Sequence, residues 1–194
     1  MLNKMNIEEA KKILGNEFSF IFDIINPVVQ ELKLDKDAKI LDVGTGKGRM
    51  AITLALNNFK VLTGEPESDN SEYAKQSWLE NAKRVNVDHL ITFKPFNAEE
   101  MPFEDESFDV IFVMAALHHI DDSASAFKEC VRTIKSNGVI CVFEPTPKGI
   151  KIIRKGSPTH PDAVDPIDYA RNYPLSTQIK ENFLFNAFIF NKIN

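Results

Sequence analysis

The sequence predicts an α/β fold, doubly wound around a mostly parallel sheet with helices on both faces. Three observations predict it. Short apolar runs alternate with helical patterns from residue 38 to residue 145, the order produced by successive strand–helix–strand crossovers. The run Phe108–Met114 is almost continuously apolar and rich in β-branched residues, as suits a strand buried on both faces. In Ile40-Leu41-Asp42-Val43-Gly44-Thr45-Gly46-Lys47-Gly48-Arg49-Met50, an apolar run meets three glycines at alternate positions, and a helical pattern follows. Glycines let the backbone turn tightly and approach a ligand closely, and the helix N-terminus beyond them offers unpaired N–H groups.

Each element follows in order. Residues 7–33 carry a helical pattern, with Ile7, Ala10 and Leu14 on one face. Phe18, Ile21, Phe22 and Ile25 continue that face past a weak point at Gly15. Asn26-Pro27 predicts a break, with Pro27 opening a further helix through Leu32. Residues 39–43 read as a buried strand, 48–58 as its following helix, and 60–63 as a second strand ending in Gly64-Glu65-Pro66. Residues 71–85 read as a helix capped by Ser71, with Ala74, Trp78 and Ala82 on one stripe. Residues 90–94 form the third strand and Phe108–Met114 the fourth. Asp121 or Asp122 caps the next helix, whose Phe127, Val131 and Ile134 face the sheet. Asn137-Gly138 ends that helix before a fifth strand at 139–143. Residues 145–175 are rich in Pro, Asp and Lys and give only a short helix near 167–172. The aromatic stretch 184–193 predicts one last strand, antiparallel and at or near the sheet edge.

With 194 residues and 43% hydrophobic content, the chain can bury one substantial core. Its net charge of −5 argues against a broad cationic grip on nucleic acid. Lys148, Lys151, Arg154 and Lys155 read as a solvated basic loop. The two cysteines, Cys130 and Cys141, lie in apolar-periodic segments without metal-ligand spacing or a disulfide framework, and read as buried reduced thiols. Residues 1–6 lead into charged helix rather than an apolar leader, and no apolar span is long enough for a membrane. The expectation is a soluble, cytoplasmic protein.

The glycine loop discriminates between ligands. A dinucleotide fingerprint, G-x-G-x-x-G, wants its third glycine at the sixth position, where this chain has Arg49; its third glycine is Gly48, one place earlier. The phosphate loop G-x-x-x-x-G-K-[ST] is absent. Asp42, two residues ahead of Gly44, would repel a pyrophosphate and suits a ligand carrying positive charge. Here the chain resembles the class I S-adenosylmethionine-dependent methyltransferases. Their first motif, acid-x-G-x-G-x-G, is matched at every fixed position by Asp42-Val43-Gly44-Thr45-Gly46-Lys47-Gly48.

The resemblance implies a Rossmann-like sheet, S-adenosyl-L-methionine as cofactor, and Asp42, Gly44, Thr45, Gly46 and Gly48 among the residues that hold it. Glu65 stands where the family places the acid that accepts from both ribose hydroxyls. Phe96-Asn97-Ala98-Glu99-Glu100-Met101-Pro102-Phe103 resembles the segment G-D-A-E-x-L-P-F, whose acid accepts from the adenine amino group and whose next N–H meets the ring. Asn97 replaces that acid, with an uncharged oxygen that still accepts, and Ala98 supplies the N–H. Residues 107–113 and 116–120 resemble the family's fourth strand and the loop after it, and Ala115 between them joins the implied cofactor set. The match covers about residues 38–145. The implied organisation is one domain over residues 1–194: an N-terminal helical cap (1–35), a cofactor-binding core (38–145) and a variable C-terminal segment (146–194).

Methyl transfer from a sulfonium is an in-line displacement that asks the protein for alignment and exclusion of water. A hydroxyl, thiol or acidic-carbon acceptor also asks for a base. His118 and His119, at the carboxyl end of the fourth strand, are the candidate catalytic residues, with Glu144 a further base candidate. Successive residues of an extended segment cannot both point inward, so one histidine at most faces the substrate, and lining the pocket is the alternative role. His160-Pro161-Asp162-Ala163-Val164-Asp165-Pro166 reads as a rigid loop, and no metal is expected because the family reaction needs none. Phe18, Phe20, Phe22 and Tyr173 read as core, with an apolar lid as the alternative. No N-P-P-Y-like tetrapeptide follows Met114 and no Pro-Cys pair occurs, which favours a small-molecule acceptor over nucleic acid. Two other functions stay open. One is a noncatalytic S-adenosylmethionine-binding module, suggested because only one of the fold's two usual closing strands is found; the other is an NAD(P)-dependent oxidoreductase.

Overall fold

A computed structural model describes residues 6–71, 74 and 77–193, and its contacts divide the chain into two compact units, Met1–Pro95 and Phe96–Asn194. The fold class is α/β, doubly wound and mostly parallel, with seven strands flanked by helices.

The first unit begins with α1 (Ile7–Leu14), capped by the Asn6 side chain, which accepts from the Glu8 N–H at 3.0 Å. Gly15, at φ 87°, separates it from α2 (Asn16–Glu31). The break expected at Asn26-Pro27 does not occur, and Pro27 lies inside α2. Both Pro27 and Asp23, the residue whose carbonyl loses its helical donor, are exposed, so the lost bond falls on the solvent side of the helix. Ile25, Val28 and Val29 meanwhile anchor the opposite face in the core. Then come β1 (Ile40–Val43), α3 (Arg49–Leu56), β2 (Val61–Gly64), α4 (Trp78–Arg84) and β3 (Ile91–Phe93). The strands lie in the order β3-β2-β1, all parallel, with Ile40 opposite Val61 and Val61 opposite Ile91.

Helix α4 starts at Trp78 rather than Ser71. Asp69 Oδ1 accepts from the Ser71 N–H at 2.8 Å, a local turn that competes with capping. Residues 72, 73, 75 and 76 of the expected helix lie outside the described residues, as do residues 1–5 of the expected N-terminal lead. The Trp78 ring stacks on Phe93 at 5.7 Å between centroids.

The second unit comprises β4 (Phe108–Met114), α5 (Ser123–Thr133), β5 (Ile134–Pro145), α6 (Pro147–Ile153), α7 (Pro166–Ala170), β6 (Leu175–Lys180) and β7 (Phe185–Lys192). Its strand order is β4-β5-β7-β6: β4 and β5 are parallel, and β7 is antiparallel to both of its neighbours. Asp122 caps α5, accepting from the Ser125 N–H at 3.0 Å. The helix ends at Thr133, so Asn137-Gly138 does not terminate it but lies within β5. The register passes from Phe108 opposite Ile134 to Val110 opposite Val139, so β5 bulges there. A Cβ on Gly138 would fall 2.6 Å from Ile134 Cγ1, which explains a glycine in the fold-back.

The last strand, β7, is antiparallel and near the edge as expected, with β6 alone outside it. Strand β6 has no counterpart among the expected elements because its Leu-Ser-Thr-Gln-Ile-Lys run is polar and largely exposed. Both closing strands are therefore present. Helix α6 likewise has no expected counterpart; Thr146 caps it, with Pro147 at its first position. Phe112, Phe127, Phe143 and Phe190 form the buried centre of this unit, with Phe127 edge-on to Phe190 at 5.3 Å. Cys130 and Cys141 are buried free thiols. Phe18 and Phe22 are core residues 5.9 Å apart, Phe20 is exposed, and Tyr173 packs beside Phe127. Among the described residues no helix is long and apolar enough to cross a membrane.

Candidate functional site

At the carboxyl ends of β1 and β2, the sequence motif becomes a connected structure. Gly44, Gly46 and Gly48 have φ of 87°, 48° and 76°, the left-handed conformations that glycine adopts at no steric cost. Asp42 is fully buried below them. Its Oδ2 accepts from Thr63 Oγ1 at 2.9 Å, and the Thr63 hydroxyl lies 2.9 Å from that of Thr45. Asp42 Oδ1 has no hydrogen-bond partner. Burial pushes this carboxyl up to about 7; the Thr63 bond opposes the shift and the charge of Glu65 adds to it. Glu65 is itself buried, and its Oε2 accepts from the Gly46 N–H at 3.0 Å.

Gly48 has a second reason to be glycine. It precedes α3, and a Cβ there would sit 2.9 Å from Trp78 Cβ. Arg49, the residue that breaks the dinucleotide fingerprint, instead pairs with Glu17 of α2, and Lys47 joins the same carboxylate at 3.3 Å.

In the second unit, Asn97 is exposed and its Oδ1 accepts from the Glu99 N–H at 3.0 Å, making a local turn. One lone pair of that oxygen stays available for a ligand. Ala98 is buried behind it. The segment is tied to α5 by residues the sequence reading did not single out. Glu99 Oε1 accepts from the Asp122 N–H at 2.8 Å, and Glu129 Oε2 accepts from the Met101 N–H at 2.8 Å. Arg132 donates to the carbonyls of Met101 (3.1 Å) and Phe103 (2.8 Å), and to Asp105 (2.7 Å) and Glu129 (2.6 Å). The Arg132 bond holds the Glu129 carboxyl below its ordinary range. The only sequence signal for this clamp was the i,i+3 spacing of Glu129 and Arg132 on one helix.

Ala115 follows β4 at φ 48°, its N–H donating to the Phe143 carbonyl at 2.8 Å. The chain then enters a 3₁₀ turn, Leu117–His119, in place of the extended segment expected there. The turn sets the two imidazoles 4.3 Å apart, centroid to centroid. His118 Nδ1 lies 2.6 Å from Glu144 Oε2, with both side chains buried. His118 Nε2 has no hydrogen-bond partner. The His160 ring joins them, 5.1 Å from His118 and 4.9 Å from His119. Its loop is fixed by α6: Arg154 Nε donates to the His160 carbonyl at 2.8 Å, and the guanidinium pairs with Asp162 at 3.0 Å. Of the basic cluster, Lys148 and Lys151 lie in α6 while Arg154 and Lys155 follow it in a turn, and Lys148 sits 4.7 Å over the Phe183 ring.

A doubly wound sheet, an acid-and-glycine loop after β1 and an acid after β2 together define the class I S-adenosylmethionine-dependent methyltransferases. Residues 41–142 match the methyltransferase domain family, more than half of the chain, and the chain belongs to that family. It is 29% identical over 124 residues to 27-O-demethylrifamycin SV methyltransferase of Amycolatopsis mediterranei, covering 62% of this chain and 44% of that one. It is 28% identical over 171 residues to demethylmenaquinone methyltransferase of Staphylococcus aureus, covering 79% and 67%. The chain therefore spans less than half the length of the first of these relatives. Among solved structures, a candidate S-adenosylmethionine-dependent methyltransferase of Methanococcus maripaludis superposes with a TM-score of 0.72 at 20% identity, over 96% of this chain and 93% of that one. The YcgJ protein of Bacillus subtilis superposes at 0.67 and 15% identity, over 91% and 100%. At these identities the two structures speak for the fold alone.

Proposed function

We propose that this protein is a cytoplasmic, single-domain methyltransferase that moves a methyl group from S-adenosylmethionine to a small-molecule acceptor. The observation that carries this reading is the loop after β1: a buried Asp42 with an unpartnered oxygen, under glycines whose Gly46 N–H is bound by Glu65. A buried acceptor atom of this kind fits a ligand with an ammonium group and a sulfonium. The donor supplies a methyl group already activated on a positive sulfur.

The chain's residues then have distinct tasks. Asp42, Gly44, Thr45, Gly46 and Gly48 hold the amino-acid tail, and Glu65 accepts from the ribose hydroxyls. Asn97 and the Ala98 N–H take the adenine, with the Arg132 clamp keeping their segment in place. Ala115 supports the same ligand through the backbone after β4. The His118–Glu144 pair suits a base, since a carboxylate only accepts, which puts the imidazole proton on Nδ1 and leaves Nε2 to remove a proton from the acceptor. His119 lies beside it. The small-acceptor reading is supported by relatives named for demethylrifamycin and demethylmenaquinone, and by the acidic charge. The cytoplasmic reading is supported by the two buried, unpaired thiols.

Both closing strands are present, which removes the motive for a noncatalytic module. Calorimetry with S-adenosylmethionine and NAD(P), followed by detection of S-adenosylhomocysteine release over a panel of hydroxylated aromatics, quinols and amines, tests the proposal. Binding of the sulfonium ligand with release on at least one acceptor is expected. Binding without release on any acceptor or cell extract would return the module reading, and binding of NAD(P) instead would overturn the donor.

A further inference from the structure

The second unit contains a cluster that alignment of a sulfonium with an acceptor does not require. His118, His119 and His160 each bring one ring nitrogen to within 4.8 Å of the other two, although they come from two separate segments, the turn after β4 and the loop between α6 and α7.

The His118 side chain is wholly buried. Its Nδ1 is taken by Glu144 at 2.6 Å, so the lone pair is on Nε2, and that atom has no hydrogen-bond partner. Buried polar atoms are satisfied as a rule, and an exception calls for an explanation. The carbonyl beside His160 fixes its tautomer in the same way. Its Nδ1 lies 3.0 Å from the Pro161 carbonyl oxygen, which can only accept, so the proton is on Nδ1 and the lone pair on Nε2. Metal-ligating histidines are oriented in this way, donating the second ring N–H to a carboxylate or a backbone carbonyl.

We propose that His118, His119 and His160 form a three-imidazole site for a divalent transition metal of the zinc class, with Glu144 holding His118 in its ligating tautomer. Neutral imidazoles suit zinc, cobalt, nickel, iron or copper rather than magnesium or calcium, which prefer oxygen. Tetrahedral zinc at about 2.0–2.1 Å from each nitrogen brings the nitrogens to about 3.3 Å from one another. The observed spread closes by small side-chain rotations, and His119, only half-buried, has room for them. Three protein ligands leave the fourth position for an oxygen donor. A metal there holds a hydroxyl-bearing acceptor and lowers the pKa of the bound oxygen, moving the proton-removing role from the imidazole to the ion. That use rests on the methyl-transfer reading, whereas metal binding does not.

The experiment strips the 194-residue chain with a chelator, then titrates it with Co2+ followed by absorption and with Zn2+ followed by calorimetry. One ion per chain is expected, with the intense visible bands of four-coordinate Co2+ and no competition from excess Mg2+. His119→Gln and His160→Gln should each weaken Co2+ binding by about a hundredfold, and Glu144→Gln by about 10–100-fold. His89→Gln, at the one histidine outside the cluster, should leave affinity unchanged. His118 is too buried for its variant to be decisive, so circular dichroism is used to check that the tested variants fold. No stoichiometric ion, or the same affinity in His119→Gln and His160→Gln as in the parent chain, would overturn the site. Calorimetry with S-adenosylmethionine on the same preparations separates the two readings. A chain that takes the sulfonium and no metal sinks only the metal site, and the converse sinks only the methyl-transfer reading.

Discussion

The Gly46 N–H donates to Glu65 Oε2 at 3.0 Å, so the acid after β2 reaches back to the glycine loop after β1. The bond ties the proposed ribose acceptor to the proposed tail-binding loop. Glu65→Ala should weaken S-adenosylmethionine binding by at least about tenfold, because donors on both loop and ligand lose their acceptor. Glu65→Gln keeps one acceptor oxygen and should recover part of that loss. Calorimetry on the two variants is the measurement, and unchanged affinity in Glu65→Ala would remove this residue from the site.

Asp42 makes a prediction about pH. Its carboxyl is pushed up to about 7 by burial in the folded chain, against about 3.9 in an unfolded one. Between those values the folded state holds a proton that the unfolded state has released. The stability tied to this group is therefore complete below the unfolded pKa and is lost as pH rises through about 7. Asp42→Asn keeps an oxygen for Thr63 to donate to and removes the titration. Thermal melts across about pH 5.5–7.5 should fall with pH more steeply in the parent than in the variant. Parallel curves would show that Asp42 ionises at an ordinary value.

The loop after β1 was legible because each of its features leaves a local mark: an acid, glycines at positions of positive φ, a strand before and a helix after. Long-range consequences left none. Arg49 marked only a broken fingerprint, and its partner Glu17 lies 32 positions away. His160 stood in a loop dense with proline and acid, and nothing local indicated that it meets His118 and His119. The 3₁₀ turn left no mark because Ala116-Leu117-His118-His119-Ile120 has no periodicity to read, and such a run reads as extended backbone. In β6 the exposed Ser, Thr and Gln residues concealed a strand whose hydrogen bonds to β7, not its burial, define it.

Arg132 is expected to matter for both stability and binding. Its guanidinium holds the Met101 and Phe103 carbonyls, Asp105 and Glu129, and so fixes the segment that carries Asn97 and Ala98. Arg132→Ala leaves those carbonyls and the Glu129 carboxylate without that donor. Bonds to charged groups contribute about 1.5–3 kcal/mol when buried, and the guanidinium is 29% exposed, so a loss of about 1–2 kcal/mol is the expectation. Urea denaturation measures it. Binding of adenosine alone, which tests the Asn97 segment, should weaken in step. A stable variant with full adenosine affinity would show that the clamp is dispensable.

Gly48 separates packing from ligand contact within the same motif. Its φ of 76° is costly for any residue with a side chain, and an added Cβ would approach Trp78 Cβ to 2.9 Å and Ile52 Cδ1 to 3.3 Å. Of these neighbours only the Ile52 methyl is the end of a flexible chain, so α4 has to shift from the start of α3 or the loop has to distort. Gly48→Ala should cost about 1–3 kcal/mol in stability by overpacking, with a further ~1 kcal/mol for the left-handed backbone. Urea denaturation gives the first number. Calorimetry with S-adenosylmethionine on the still-folded variant at low temperature gives the second comparison. If Gly48 is glycine chiefly for packing against Trp78, stability falls much more than affinity does. A variant of parental stability whose affinity has collapsed would instead mean that the ligand, not Trp78, occupies the space at this glycine.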